Sequence, residues 1–268
     1  MIKLICSDID GTLLNTEREV SSKTKVEFHK LKHKLPIILI SSRMPSAMRH
    51  LQKDLSIENL PLVAYNGGLI VVDNEIRQST TLSFNLVKKI VGLNKHGLHL
   101  SLYQGEKWYA PEHDQWTRRE INNTKVNPEI KKNEEVLDLW EPLKTGAHKI
   151  MCMGDPSLID DFYTVLSSEF SNDLHLYRSK DTYIEIAPKQ ISKQSAIEFL
   201  ISSEYKFEFS QVMSFGDNYN DIEMLQASGL GLAVGNAKEE VRAVADKIIG
   251  DAKKDGVAEF LSHYFKTQ

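Results

Sequence analysis

The sequence predicts an α/β protein: a Rossmann-like core with a parallel sheet, into which a separate α+β block is inserted. Three observations predict it. Toward both ends of the chain, short and almost wholly apolar runs alternate with amphipathic segments of helical spacing, the pattern of parallel strands covered on both faces. The middle third instead carries hairpin signals. The length, 268 residues, suffices for two ordinary domains.

In chain order, Lys3–Ser7 reads as a buried strand. Residues 22–34 read as a helix with Val26, Phe28, Leu31 and Leu35 on its apolar side and Ser21 or Ser22 as N-cap. Pro36–Ser41 is a second apolar strand, Pro45–Leu55 a helix with proline at an early position, and Leu62–Tyr65 a third strand. Within the middle block, Ser83–Leu93 reads as a helix. Leu98–Tyr103 and Lys107–Ala110 flank the turn Gln104-Gly105-Glu106, Ala147–Met153 is a strand, and Asp155-Pro156 opens a helix to about Phe170. Leu174–Ser179 and Thr182–Ala187 form a second hairpin. The α/β style then returns. Gln194–Ser203 is a helix with Ala196, Ile197, Leu200 and Ile201 on one side, followed by strand 211–215, helix 221–228, strand 230–234, helix 239–245, short strand 247–249 and helix 256–265. The expected organisation is a discontinuous core, 1–81 plus 189–268, and an inserted domain, 82–188.

Composition narrows the function. Hydrophobic residues make up 41% and charged residues 26%, which excludes a disordered, collagen-like or small disulfide-rich chain. Lys and Arg total 33 against 37 Asp and Glu, a net charge of −4, so no nucleic-acid partner held by bulk charge is expected. Cys6 and Cys152 sit in apolar runs and read as buried free thiols. The N-terminal residues lack the charged and long apolar regions of a signal peptide, and no run approaches about 18 apolar residues. A cytoplasmic protein without a membrane partner is the expectation, and it empties the sequon at Asn122 of meaning.

Four short stretches carry the chemistry. Asp8-Ile9-Asp10-Gly11-Thr12-Leu13 directly follows the first strand. Side chains two apart on an extended segment point the same way, so two carboxylates leave the carboxyl end of that strand together, where open α/β sheets bind ligands. Such close like charges call for a cation, and Gly11 permits a tight turn. Gly216-Asp217-Asn218-Tyr219-Asn220-Asp221 repeats the strand-to-loop placement near the other end of the chain, with an oxygen-rich, sulfur-free set that suits Mg²⁺. Ser41-Ser42-Arg43 ends another strand and can cradle phosphate or simply cap a helix. Lys193 opens a helix, where it opposes the dipole and suggests an anionic partner. His29 and His33 lack a metalloprotease's Glu and read as a solvated helix face, and Tyr103, Trp108, Tyr109 and Trp116 read mainly as packing in the inserted block.

These stretches, in this order, resemble the haloacid dehalogenase superfamily of phosphohydrolases along the whole chain. Asp8–Leu13 matches its DxDGT signature and Gly216–Asp221 its GDxxND signature. An insertion after the third strand and Tyr65-Asn66-Gly67-Gly68 looks like the type 2 cap of the Cof-type subfamily. The resemblance implies a Mg²⁺-dependent phosphatase of sugar phosphates or related small phosphomonoesters. Asp8 would be nucleophile and metal ligand. Asp10 would be general acid/base with its backbone carbonyl on the metal, and Asp217 would be the remaining carboxylate ligand. Ile9, Ser41, Ser42, Lys193 and Asn220 would contact phosphate. Lys193 would also restrain Asp8, and Asp221 would orient Lys193 or metal waters, with Gly11, Thr12 and Asn66 in support. The family often has Thr-Gly-Arg where this chain has Ser41-Ser42-Arg43, which keeps the hydroxyl and loses the glycine. A sugar phosphomutase and a catalytically silent binding module are the alternatives. Silent relatives usually lose a nucleophile, metal carboxylate or motif lysine, and here Asp8, Asp10, Lys193 and Asp217 are all present. The cap would act as a hinged lid that sets specificity.

Overall fold

Leu4–Ser7 (β1), Ile37–Ile40 (β2) and Leu62–Ala64 (β3) are buried at every position, which leaves no face for water and requires cover on both sides. The computed structural model, which describes residues 1–266, supplies that cover with Ser22–Leu31 (α1) and Ser46–Leu55 (α2) among the intervening helices. The chain continues through Leu69–Val72 (β4) and Glu75–Ser79 (β5). It then enters a block made of Phe84–Leu93 (α3), His99–Gln104 (β6), Lys107–Ala110 (β7), Gln115–Thr124 (α4), Glu129–Ile130 (β8), Asn133–Trp140 (α5), Lys149–Met153 (β9), Pro156–Glu169 (α6), Leu174–Lys180 (β10) and Tyr183–Pro188 (β11). Lys193–Leu200 (α7), Val212–Gly216 (β12), Ile222–Ala227 (α8), Leu230–Ala233 (β13), Glu239–Val244 (α9), Lys247–Ile248 (β14) and Gly256–Tyr264 (α10) complete it.

Two compact units result. One comprises Met1–Ser42, Met48–Arg77 and the chain from Ser192 onward; the other comprises Arg43–Ala47 and Gln78–Ile191. The first holds an eight-stranded sheet in the order β14-β13-β12-β1-β2-β3-β4-β5, parallel from β14 to β3. β4 pairs antiparallel with β3, so the parallel sheet carries an extra edge that sequence reasoning missed. β5 is exposed at most positions, Ile76 included, and so lacks the apolar alternation that would announce a strand. On α1 the stripe is narrower than its spacing suggests: Phe28 and Leu31 are buried with Thr24 and Glu27, while Val26 faces water. The helix expected through Ser203 ends its α-helical part at Leu200 and continues as a π-helical turn, Ile201–Tyr205.

The second unit is built on the sheet β10-β11-β9-β6-β7-β8. Its apolar core joins Leu100, Leu102, Ile150, Cys152, Ile184 and Ile186 of the strands to Val87, Ile90, Val136, Trp140, Ile159 and Leu166 of α3, α5 and α6. Tyr103 stacks on Trp108 at 5.3 Å and Tyr109 meets Trp140 edge-on at 5.9 Å, so these aromatics do pack. Cys6 and Cys152 are buried and unbridged, and His29 and His33 are exposed. No helix among the described residues is long and apolar enough to cross a membrane.

Candidate active site

β1 lies between β12 and β2, parallel to both, with Ser7 in register with Phe215 and with Leu39. The residues leaving the carboxyl ends of these strands therefore converge: Asp8 after β1, Ser41 after β2, Asp217 after β12. The Asp8 amide donates to the Phe215 carbonyl at 3.0 Å, carrying the β1–β12 pairing as far as the first carboxylate. Ser41 is buried, and its amide donates to the Val63 carbonyl. Ser42 beside it is half-buried.

Lys193 begins α7, whose N-cap, Ser192, accepts a bond from the Ser195 amide. That cap fixes the direction in which the lysine leaves the helix. Its Nζ donates to Asp8 Oδ1 and to Asp221 Oδ1, both at 2.6 Å, with all three residues buried. The other Asp221 oxygen, Oδ2, accepts from the backbone amides of Asp217 and Asn218 at 2.9 and 3.0 Å. Asp221 is thus satisfied at both oxygens and serves as the anchor of the loop. Thr12 donates to Asp217 Oδ1 at 2.9 Å.

Gly11 is required on two counts. Its φ is +89°, and a Cβ there would stand 2.3 Å from Asp217 Oδ2, well inside contact distance. Asn236, which sequence reasoning missed, donates to the Gly11 carbonyl at 2.8 Å and accepts from the Ala252 amide, tying this turn to the end of the core sheet. Nothing in the local sequence around Asn236 announces that role, because its partners are more than 200 residues upstream and 16 residues downstream.

Ser41 and the Asp217 loop are linked through Tyr65-Asn66-Gly67, three successive residues with φ of 53°, 56° and 105°. A left-handed run of this kind is costly for tyrosine and is held only where the surroundings over-determine it. It lets the Asn66 amide donate to the Ser41 carbonyl at 2.8 Å while Asn66 Oδ1 accepts from Asn220 Nδ2 at 3.0 Å. Asn66 is buried and Asn220 half-buried, so the bond is partly shielded from water. Replacing Asn66 by Ala should cost about 1–2 kcal/mol, from a left-handed alanine and a lost buried bond. Asn66→Gly should recover the backbone part only. Chemical denaturation separates the two contributions, and both variants should raise KM if Asn220 needs this partner to face the substrate.

The electrostatics are unbalanced in a telling way. Asp8, Asp217 and Asp221 each offer an oxygen within 4.8 Å of the others, against one ammonium. Burial would drive Lys193 toward the neutral amine, but Asp221 and Asp8 outweigh it and hold the ammonium well above its ordinary range. Burial, reinforced by Asp8 and Asp221, pushes the Asp217 carboxyl up from 3.8 to about 8. Burial likewise pushes Asp8 up to about 6 against the pull of Lys193. Asp8 Oδ2 is buried without a hydrogen-bond partner. Crowded carboxylates with an orphaned buried oxygen, joined by no cysteine or histidine ligand among the described residues, fit a hard divalent cation. Asp10 stands apart from that group: its Oδ1 accepts from an Arg18 Nη at 2.8 Å.

A family model described as haloacid dehalogenase-like hydrolase matches residues 5–261. The chain belongs to that family. Its relatives extend over the same length. A Haemophilus influenzae protein named "Putative phosphatase" is 30% identical over 99% of each chain. The 5-amino-6-(5-phospho-D-ribitylamino)uracil phosphatase YitU of Bacillus subtilis is 27% identical, covering 98% of this chain and 97% of its own. Among solved structures, a haloacid dehalogenase-like hydrolase from Bacteroides thetaiotaomicron superposes with a TM-score of 0.89 over 98% of this chain and all of its own, at 24% identity. This haloacid dehalogenase-like hydrolase is a phosphatase acting on a small phosphorylated substrate. Its fold follows that family along nearly the whole chain.

Proposed function

We propose that the protein is a Mg²⁺-dependent phosphatase of phosphomonoesters borne on polyhydroxylated carbon chains, sugar phosphates or their relatives, working through a phosphorylated Asp8. The observation that carries this reading is the state of Asp8: one oxygen held by Lys193, the other buried and unpartnered. A carboxylate fixed at one oxygen presents the second to an electrophile in a single orientation, which phosphoryl transfer requires more than any other contribution. The substrate class is supported by the ribityl phosphate in the name of the Bacillus subtilis relative.

Asp8, Asp217 and the Asp10 backbone carbonyl would hold Mg²⁺, which supplies the positive charge that lets two anions approach. The remaining chemistry belongs to the chain. Asp8 attacks phosphorus, and Lys193 offsets the charge that gathers on the transferring group. The Ser41 hydroxyl and Asn220 orient that group, with Ile9 and Ser42 contributing from the adjoining loops. Asp10 gives a proton to the departing alkoxide and later takes one from the attacking water. Asp221 keeps Lys193 in line and Asp217 in place, and the 82–188 insertion carries the residues that choose among substrates.

The panel that tests this comprises sugar phosphates, nucleotides, pyridoxal phosphate and flavin mononucleotide, scored by phosphate release with Mg²⁺ and with chelator. Polyol-linked phosphates should head the ranking and chelator should abolish release; full activity in metal-free buffer would sink the metal assignment. Stability offers an independent check. With the Asp217 carboxyl raised from 3.8 to about 8, this group holds a proton in the metal-free folded protein that the unfolded chain has released. Its contribution to stability therefore falls as pH rises from about 4 to about 8. Melting in chelator should drop between about pH 5 and pH 8, and Mg²⁺ should raise Tm more at the upper end. A Tm in chelator that climbs over this interval would contradict the placement of a cation beside Asp217.

A further inference from the structure

Asp10 is joined to Arg18 through a loop built to deliver that arginine. Asn15 closes the loop, its Oδ1 accepting from the Glu17 and Glu19 amides at 3.1 and 2.9 Å. Its backbone amide donates to the Glu19 carbonyl, and its carbonyl accepts from the Arg18 amide. Inside this turn Arg18 adopts φ of 61°, a left-handed conformation that L residues with long side chains avoid. From there one Nη reaches Asp10 Oδ1 at 2.8 Å, while Nε is buried with no acceptor among the described residues.

The left-handed Arg18 backbone and its unpartnered Nε both oppose stability, whereas an ion pair with both side chains more than a third exposed returns little. Strain kept at such a place is characteristic of functional sites. None of the catalytic roles of Asp8, Asp10, Lys193 or Asp217 requires Arg18. We propose that Arg18 is a positioning residue for the second half-reaction: by holding Asp10 Oδ1 it fixes the direction from which the Asp10 carboxylate meets the attacking water. This rests on the phosphorylated-Asp8 reading. In the step concerned, water oxygen bonds to phosphorus and the bond from phosphorus to the Asp8 oxygen breaks. Its electron pair returns to the Asp8 carboxylate, the water proton passes to the Asp10 carboxylate, and inorganic phosphate leaves.

Formation of the phosphoenzyme makes a lighter demand on this orientation when the leaving group is an aryl oxide that departs without a proton. The two half-reactions should therefore respond unequally. With an aryl phosphate, rapid-quench kinetics on Arg18→Ala should show hydrolysis slowed about tenfold more than formation, as expected for partial loss of a proton-transfer contribution. Acid-stable, hydroxylamine-labile phosphate should accumulate to a higher steady-state fraction than in the wild type. Arg18→Lys keeps a cation on the same loop and should recover most of the hydrolysis rate. Equal slowing of both steps, or a lysine variant no better than alanine, would overturn the proposal and leave Arg18 a structural residue. Absence of such phosphate from the wild type and from Asp10→Asn alike would instead overturn the phosphorylated-Asp8 reading on which it rests.

Discussion

Asp8→Asn should reduce turnover to the background rate and leave no phosphate on the protein. The substitution removes the attacking oxygen and one of the crowded negative charges in a single change, and leaves Lys193 only a neutral amide oxygen where it had a carboxylate. Asparagine keeps the volume, so the fold should persist, and stability in chelator should if anything rise, because one of three mutually repelling groups is gone. That pairing of outcomes, lost chemistry with retained or improved Tm, is what a site residue gives and a core residue does not. Asp10→Asn provides the contrast. Its side chain lies outside the carboxylate group, so cation binding should survive while proton transfer is lost, a factor of about 10²–10⁴. An alkyl phosphate should feel the loss in both half-reactions. An aryl phosphate should still phosphorylate Asp8, and the product of that step should persist. Label on Asp8→Asn would reject Asp8 as nucleophile and favour direct attack by water.

Lys193→Ala should be the most damaging substitution to the molecule as a whole. Its ammonium is the shared partner of two buried carboxylates. Breaking a buried ion pair from one side typically costs about 3–5 kcal/mol, because the surviving charge is stranded. Here the stranded groups can take up protons, Asp8 and Asp217 most readily, since burial already lifts both. The loss should therefore be larger at about pH 8 than at about pH 5, which denaturation at the two values would reveal. Activity should fall by about 10²–10³-fold, the cost of deleting one preorganised donor, and more if Asp8 swings out of line. Lys193→Arg should not rescue it: the ammonium fits a fully enclosed space, and a planar guanidinium presents its donors in another geometry. A stable, active Lys193→Ala would mean that the pair Lys193–Asp8 is structural ornament.

The extent to which the site could be read from the sequence follows from where its information lies. Asp8 and Asp10 occupy alternate positions after an apolar strand, and Asp217 through Asp221 crowd a strand-to-helix loop; both are local patterns with a chemical meaning. The structure brings Asp8, Asp217, Asp221 and Lys193 together, places Thr12 on Asp217 and joins Asn66 to Asn220. Arg18 and Asn236 were invisible because their significance comes from a loop's backbone path and from a partner across the sheet. Much the same divides the elements. The apolar runs of β1, β2 and β12 declared themselves. β4 and β5 did not: their turn, Asp73-Asn74, takes φ of 53° and 62° without the glycine that would mark it. α4 escaped because the positions it buries are Thr117, Glu120 and Thr124, so its inner face carries no apolar stripe.

The central seat of β1 has a consequence for synthesis. One neighbour, β2, emerges about thirty residues after it, but the other, β12, follows only after some two hundred. At about 5–20 residues per second, the ribosome leaves β1 for about 10–40 s as the bare margin of a half-built sheet, with the hydrogen-bonding groups of a mostly apolar strand open to any other chain. Pulse-labelled nascent chains stopped between β11 and β12 should associate with chaperones and resist release. Chains extended past β13 should let go, because by then β1 has been enclosed from both sides.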